Sequence, residues 1–281
     1  MSRLAFVSGG LVAALAATGL QAAEEKPAPR TVDRPLWELG LGAGVLQLPH
    51  YRGSDQSHTW LLPVPYIVYR GKIFKADRDG ARALLLDAER FELDLSASAS
   101  APTRSRDNRA REGMPDLKPT VEIGPNLNWT LGRGRDWKLD LRLPVRAAIT
   151  VGSQPRLAGW ISTPNLNLDL RQGPWHIGLL GGPVFGDRRL HSYFYEVAPA
   201  YATAQRPAYA APGGYGGSTL LAAVSQRDGQ RWLGGFIKFD QLSGARFADS
   251  PLVRQHSQWS VGVAVSWVLA RSDQRVSVNE E

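Results

Sequence analysis

The chain has 281 residues, 29 glycines, 19 prolines, no cysteine and a formal net charge of +7. The lack of cysteine excludes disulfide stapling, thiolate metal sites and a lipidated cysteine anchor. The basic residues are spread along the chain rather than clustered, so anionic headgroups or cell-wall polymers are the expected counter-charges and nucleic acid is not.

The chain begins with a basic Arg3, an apolar run from about Leu4 to Leu20 and small residues at Ala22 and Ala23 before the acidic Glu24 and Glu25. This pattern predicts a signal peptide over residues 1–23, removed on export, followed by a polar periplasmic segment over 24–35. No later run approaches the ~18 apolar residues of a spanning helix. Any membrane crossing must therefore use strands.

Residues 91–101, FELDLSASASA, place apolar side chains at every odd position and polar ones at every even position. A period of two scatters apolar residues around a helix but collects them on one face of a strand. The same alternation recurs in TVEIGPNLNWTL (120–131), WKLDLRLPVRAAI (137–149) and SQWSVGVAVSWVL (257–269), and less regularly at about 36–48, 59–70, 157–170, 174–186, 217–227 and 231–242. These strands run about ten to fourteen residues, longer than soluble strands and long enough to cross a bilayer when tilted. The stretch KIFKADRDGARALLLD (72–87) either folds as a hairpin around Arg78-Asp79-Gly80, giving twelve strands, or leaves ten. Short turns alternate with longer loops at about 49–58, 102–117, 187–216 and 243–255, the asymmetry of an outer-membrane barrel. All nine tryptophans fall at or near strand ends, the positions of an interfacial aromatic girdle.

The fold expected is therefore all-β: a transmembrane antiparallel up-and-down barrel over residues 36–269, with a polar tail over 270–281. Inward positions carry Glu92, Asp94, Glu122, Lys138, Asp140, Arg142, Arg146 and Asp169. They line a channel or fill a narrow lumen with cross-strand ion pairs, and filling is the favoured outcome. Glu92 and Asp94 share a face, as an acid–base pair would, but nothing else in the sequence points to hydrolysis. The five histidines lack zinc-ligand spacing, and His191-Ser192 and His256-Ser257 would point to opposite faces of a strand. No catalytic residue, metal or cofactor is expected. The tyrosine-rich segment 187–216 is expected to fold over the barrel mouth, because loops of that length rarely stay structureless.

The motif YRGSD (51–55), followed by LLPVPYIVYRGKIF (61–74), GMPDLKPTVEIGPNL (113–127), YFYEVAPAYATAQRPAYAAPGGYGG (193–217) and ADSPLV (248–253), resembles the MipA/OmpV family of MltA-interacting outer-membrane proteins over about residues 35–269. The resemblance marks Tyr51, Gly53, Ser54 and Asp55 as a family-motif loop. It implies an outer-membrane location in a Gram-negative bacterium and a scaffold that holds a lytic murein transglycosylase and a penicillin-binding protein near the cell wall. Other members are adhesins or porin-like, so a passive channel or adhesin is the alternative and a barrel hydrolase a more remote one. Barrels of this type commonly end on an aromatic residue, whereas here Trp267 is followed by the polar tail.

Overall fold

The computed structural model describes residues 31–71, 74–77, 80–88 and 90–279. The expected signal peptide and the Arg78-Asp79 turn lie outside the described residues. The described residues form fifteen strands: β1 (Thr31–Pro35), β2 (Trp37–Pro49), β3 (Ser57–Arg70), β4 (Phe74–Asp77), β5 (Gly80–Asp87), β6 (Phe91–Ser100), β7 (Thr120–Arg133), β8 (Trp137–Thr150), β9 (Leu157–Ser162), β10 (Asn165–Gln172), β11 (Trp175–Gly186), β12 (Gly214–Asp228), β13 (Arg231–Gln241), β14 (Ser257–Arg271) and β15 (Arg275–Asn279). Among the described residues the one α-helix is α1 (Arg188–Tyr195).

Strands β2 to β14 form one antiparallel sheet in which each pairs with its sequence neighbour, β9 and β10 excepted, and β14 pairs back to β2. Strands β9 and β10 both lie between β8 and β11, so together they form one interrupted stave and the ring has twelve staves. The segment 157–170, read as one strand in the sequence, breaks at Thr163-Pro164. Proline has no N–H for the ladder, and the chain here presses on β11 so closely that a Cβ on Gly182 would sit 2.0 Å from the Pro164 carbonyl oxygen. Only glycine fits opposite that kink.

Within 72–87, β4 and β5 pair antiparallel from Phe74 opposite Ala83 to Asp77 opposite Gly80, completing the twelve. The two strands are shorter than their neighbours, and among the described residues β4 pairs with β3 only at Tyr69 and Arg70. Strands β1 and β15 pair with each other as a separate two-stranded sheet beyond the barrel end where the short turns lie. The segment before the barrel and the tail after it are thereby joined.

The barrel is apolar outside and keeps its strand charges inside. Leu61 is 78% exposed and Val263 63%, while Asp94 is 1% exposed and Asp240 fully buried. In the expected sense of alternation, Leu95, Leu143 and Val261 are exposed while Asp94 and Asp140 are buried. An outer surface of this kind is stable only against lipid, where a basic residue at mid-depth would cost about 2 to 4 kcal/mol. The tryptophans divide. Trp129, Trp137, Trp160, Trp175, Trp259 and Trp267 are exposed on the outer belt. Trp232 turns inside instead, its ring over Gly234 and 6.3 Å from that of Tyr66, and Trp60 shares the inward parity of Tyr66 on β3. Nearness to a strand end does not fix the face, which depends on odd or even register.

At the other end, four longer connections pack together. Their shared core contains Tyr51, Leu117, Tyr195, Val197, Leu242, Phe247 and Leu252. Helix α1 opens the longest of these loops. Asp187 caps it by accepting from Leu190 N at 2.8 Å, which satisfies one of the orphan donors of the first turn. Isolated bridging of Val197 to Tyr209 then folds the loop back on itself. Residues 187–213 thus pack against the other loops across the barrel mouth, while 214–216 already belong to β12.

Candidate functional site

Two places concentrate polar chemistry: the inner wall and the loop cap above it. On the inner wall, Asp94 Oδ2 accepts from the Asn126 amide at 3.0 Å and the Asn128 amide at 2.8 Å. Asn128 also reaches Glu92 at 3.5 Å. Lys138 Nζ lies 3.1 Å from Asp140, and Arg142 lies 4.0 Å from Asp140 and 3.7 Å from Asp169. Asp169 in turn accepts from Asn167 at 2.7 Å. Arg146 Nε donates to Ser96 Oγ at 2.9 Å. Glu122 is within electrostatic reach of Arg146 on the next strand and Lys238 across the interior. The eight charged residues singled out in the sequence therefore sit on one contiguous stretch of inner wall, β6 to β10. They are tied to one another through amides and hydroxyls as much as through ion pairs.

Two further clusters escaped the sequence reading. At the turn end, Glu38 is held by Arg70 at 2.7 Å and by Arg227, which also donates to the Tyr66 hydroxyl at 3.2 Å. At the loop end, Asp240 accepts from Arg52 at 3.1 Å, lies 3.0 Å from Lys238 and accepts from Thr219 at 2.5 Å. Glu38 and Asp240 occupy inward positions of strands whose alternation is diluted by glycine. Strand parity extended from clearer neighbours would have found both.

The YRGSD loop is the keystone of the cap. Tyr51 is buried, its hydroxyl donates to the Leu252 carbonyl at 2.8 Å, and burial pushes its pKa up to about 12. Arg52 reaches down into the mouth, to Asp240 and to the Gly216 carbonyl at 2.8 Å. Gly53 adopts φ +93°, which a side chain rarely tolerates, and its N–H donates to Gln258 Oε1 at 2.7 Å. Ser54 Oγ accepts from Gln56 N at 3.1 Å and from Asn108 Nδ2 at 3.0 Å. Asp55 pairs with Arg109 at 3.3 Å. Each motif residue has a separate partner, and together they fasten the β2–β3 loop to the β6–β7 and β13–β14 loops.

The tyrosine-rich loop is locked by stacking. The Tyr195 and Phe247 rings lie 3.6 Å apart and nearly parallel at 9°, and Tyr195 donates to the Arg52 carbonyl at 3.0 Å. Burial raises the Tyr195 pKa. His191 packs edge-on against Phe247 at 4.6 Å with Nδ1 2.7 Å from the Pro212 carbonyl; burial lowers its pKa, with the carbonyl opposing.

Asn108 stands between His50 and Ser54, its amide 3.1 Å from His50 Nδ1 and 3.0 Å from the Ser54 hydroxyl. A serine nucleophile needs its base on the hydroxyl. Here the hydroxyl is buried in a turn and both groups meet the amide instead. The arrangement fixes loops. Among the described residues no cluster of metal-ligating side chains occurs.

No curated protein sequence matches the chain. Among solved structures, it is similar to outer membrane phospholipase A from Escherichia coli, at 12% identity and a TM-score of 0.33, covering 83% of this chain and 93% of that one. It is also similar to the outer membrane protease OmpT from Escherichia coli, at 7% identity and a TM-score of 0.28, covering 86% and 98%. A third is the toluene transporter TbuX from Ralstonia pickettii, at 10% identity and a TM-score of 0.24, covering 87% and 72%. Likeness this low carries nothing about activity. The family model described as MltA-interacting protein MipA matches residues 41–269, from the second strand through the last stave of the ring, and the chain belongs to that family.

Proposed function

We propose that this protein is a non-enzymatic scaffold of the outer membrane that holds a lytic murein transglycosylase, and with it a penicillin-binding protein, at its periplasmic end. The observation that carries this reading is the family match across the barrel, whose description names an MltA-interacting protein. In this reading residues 1–23 are removed on export, lipid surrounds the apolar belt and the short-turn end faces the periplasm. There the β1–β15 sheet and a recess lined by Pro35, Arg271, Ser272, Asp273 and Arg275 offer a polar platform for a partner. The eight charged residues of the β6–β10 wall serve to fill the lumen rather than to conduct, and the YRGSD loop serves to fix the cap.

The test is co-sedimentation of the full chain, reconstituted in vesicles, with a purified MltA-type transglycosylase. Binding that is lost in an Arg271→Glu, Arg275→Glu variant supports the reading. Failure of the unmodified chain to bind, or large porin-like steps from it in a planar bilayer, would replace the scaffold with a channel.

A further inference from the structure

Among the described residues, strand β3 has an unpaired edge in the middle of the barrel wall. Its register with β2 runs unbroken from Tyr69 opposite Trp37 to Ser57 opposite Pro49. Arg70 N donates to the Leu36 carbonyl and the Gln56 carbonyl accepts from His50 N. The even-numbered residues of β3 therefore direct both backbone groups to β2, and the odd-numbered ones direct theirs to the opposite edge. Among the described residues β4 covers only Tyr69 and Arg70 on that edge, so the flank from Thr59 to Pro65 has no described strand beside it.

Two odd positions on this flank are Pro63 and Pro65. Proline removes the donor that a neighbouring strand would need, which is how exposed edges are kept from pairing. It also lowers the cost of placing the edge beside hydrocarbon, where each unmet N–H costs several kcal/mol.

The inner wall behind this edge differs from the charged wall opposite. Leu62 and Val64 face inward from β3, Leu46 and Phe236 meet over Gly262, and Leu180 pairs across to Leu221 on the same inner face. Most of these side chains are partly exposed rather than packed away. Outside, Leu61 and Ile67 belong to the lipid-facing belt. The apolar surface is thus continuous from that belt, across an edge short of donors, into one half of the lumen.

We infer that the gap beside β3 is a lateral opening through which an acyl chain of a membrane lipid enters and occupies the apolar half of the lumen. The inference rests on the barrel lying in a bilayer but not on the scaffold role. A second copy of the chain pairing edge to edge is disfavoured by the two prolines.

Because the chain has no cysteine, single cysteines can be placed freely. Val64→Cys inside the apolar half, Ser96→Cys inside the charged half and Leu61→Cys on the outer belt would each carry a small fluorophore, in vesicles of phosphatidylcholine brominated along its acyl chains. Heat-modifiable gel mobility checks that each variant folds. Quenching at position 64 approaching that at 61 and about threefold above that at 96 is expected, since bromine quenches only at contact with the chain that carries it. Equal, low quenching at 64 and 96 would overturn the proposal. So would efficient disulfide dimerisation through Leu61→Cys, which would place another copy on the edge.

Discussion

The two halves of the inner wall solve the problem of a polar interior differently. From β6 to β10 the inward positions hold carboxylates, amides and basic groups bonded across neighbouring strands, as in the chain Asn167, Asp169, Arg142 and Asp140. From β11 round to β3 the mid-depth positions are small or apolar, and charge returns only at the ends, in the Glu38 and Asp240 clusters. A bonded network fixes its side chains and fills space. A glycine-rich, leucine-lined wall leaves space, and the clusters at its two ends hold that space open.

The comparison is broken most directly at Asp240. Replacing it with alanine removes the acceptor of Arg52, Lys238 and Thr219. Arg52 and Lys238 are 23% and 29% exposed, so the loss is that of charge-assisted hydrogen bonds, about 1.5 to 3 kcal/mol. Urea titration in vesicles should show a loss of that size, and a loss below about 1 kcal/mol would mean that the cluster does not brace the mouth. Phe236→Ala in the apolar half should cost only about 1 to 2 kcal/mol, less than truncation of a phenylalanine in a filled core, because its ring already borders open lumen. Equal losses at the two sites would erase the distinction between the halves.

The smallest effect is the pH response of the cap. Burial holds the His191 pKa below its ordinary value, with the Pro212 carbonyl and Asp187 opposing and Arg52 adding to the shift. The folded cap therefore binds fewer protons than the unfolded loop. Its stabilisation is complete above the ordinary imidazole value of about 6.5 and is lost as the pH falls through the lowered one. His50 is shifted in the same direction by burial and by His58. Proteolysis between Ala198 and Gly213 should quicken from pH 8 to pH 5, and His191→Gln should leave only the share due to His50. Digestion at the same rate at both pH values would show that protonation does not loosen the cap.

Much of the barrel was legible in the sequence because alternation is a local signal. FELDLSASAS became β6 with its acidic residues inside, and the ambiguous stretch around Gly80 became the hairpin that completes twelve staves. The apolar half was hidden for the same reason. In GLGAGVLQ both parities are small or apolar, so no face stands out, although Gly40, Gly42 and Gly44 turn inward and Leu41 and Val45 outward. Trp60 and Trp232 were misread because proximity to a strand end does not reveal register. The cap was foreseen as a folded loop, but its partners were not, since Arg52 meets Asp240 across 188 residues and Ser54 meets Asn108 across 54. The prolines of LLPVP were visible from the start. Their meaning needs the knowledge that odd residues of β3 from Thr59 to Pro65 face an edge with no described strand beside it.

The pairing of β1 with β15 gives the molecule a mechanical polarity. Thr31 lies opposite Asn279, and Ser277 donates to Asp33 at 2.7 Å across 244 residues of chain. Force applied by drawing these two ends apart loads the hydrogen bonds of this small sheet one after another, as in opening a zipper, rather than all at once as in shear. The seam between β14 and β2 lies directly behind it and feels the load only once the small sheet has peeled. Tension on the ends is therefore absorbed by ten residues outside the ring before it reaches the wall.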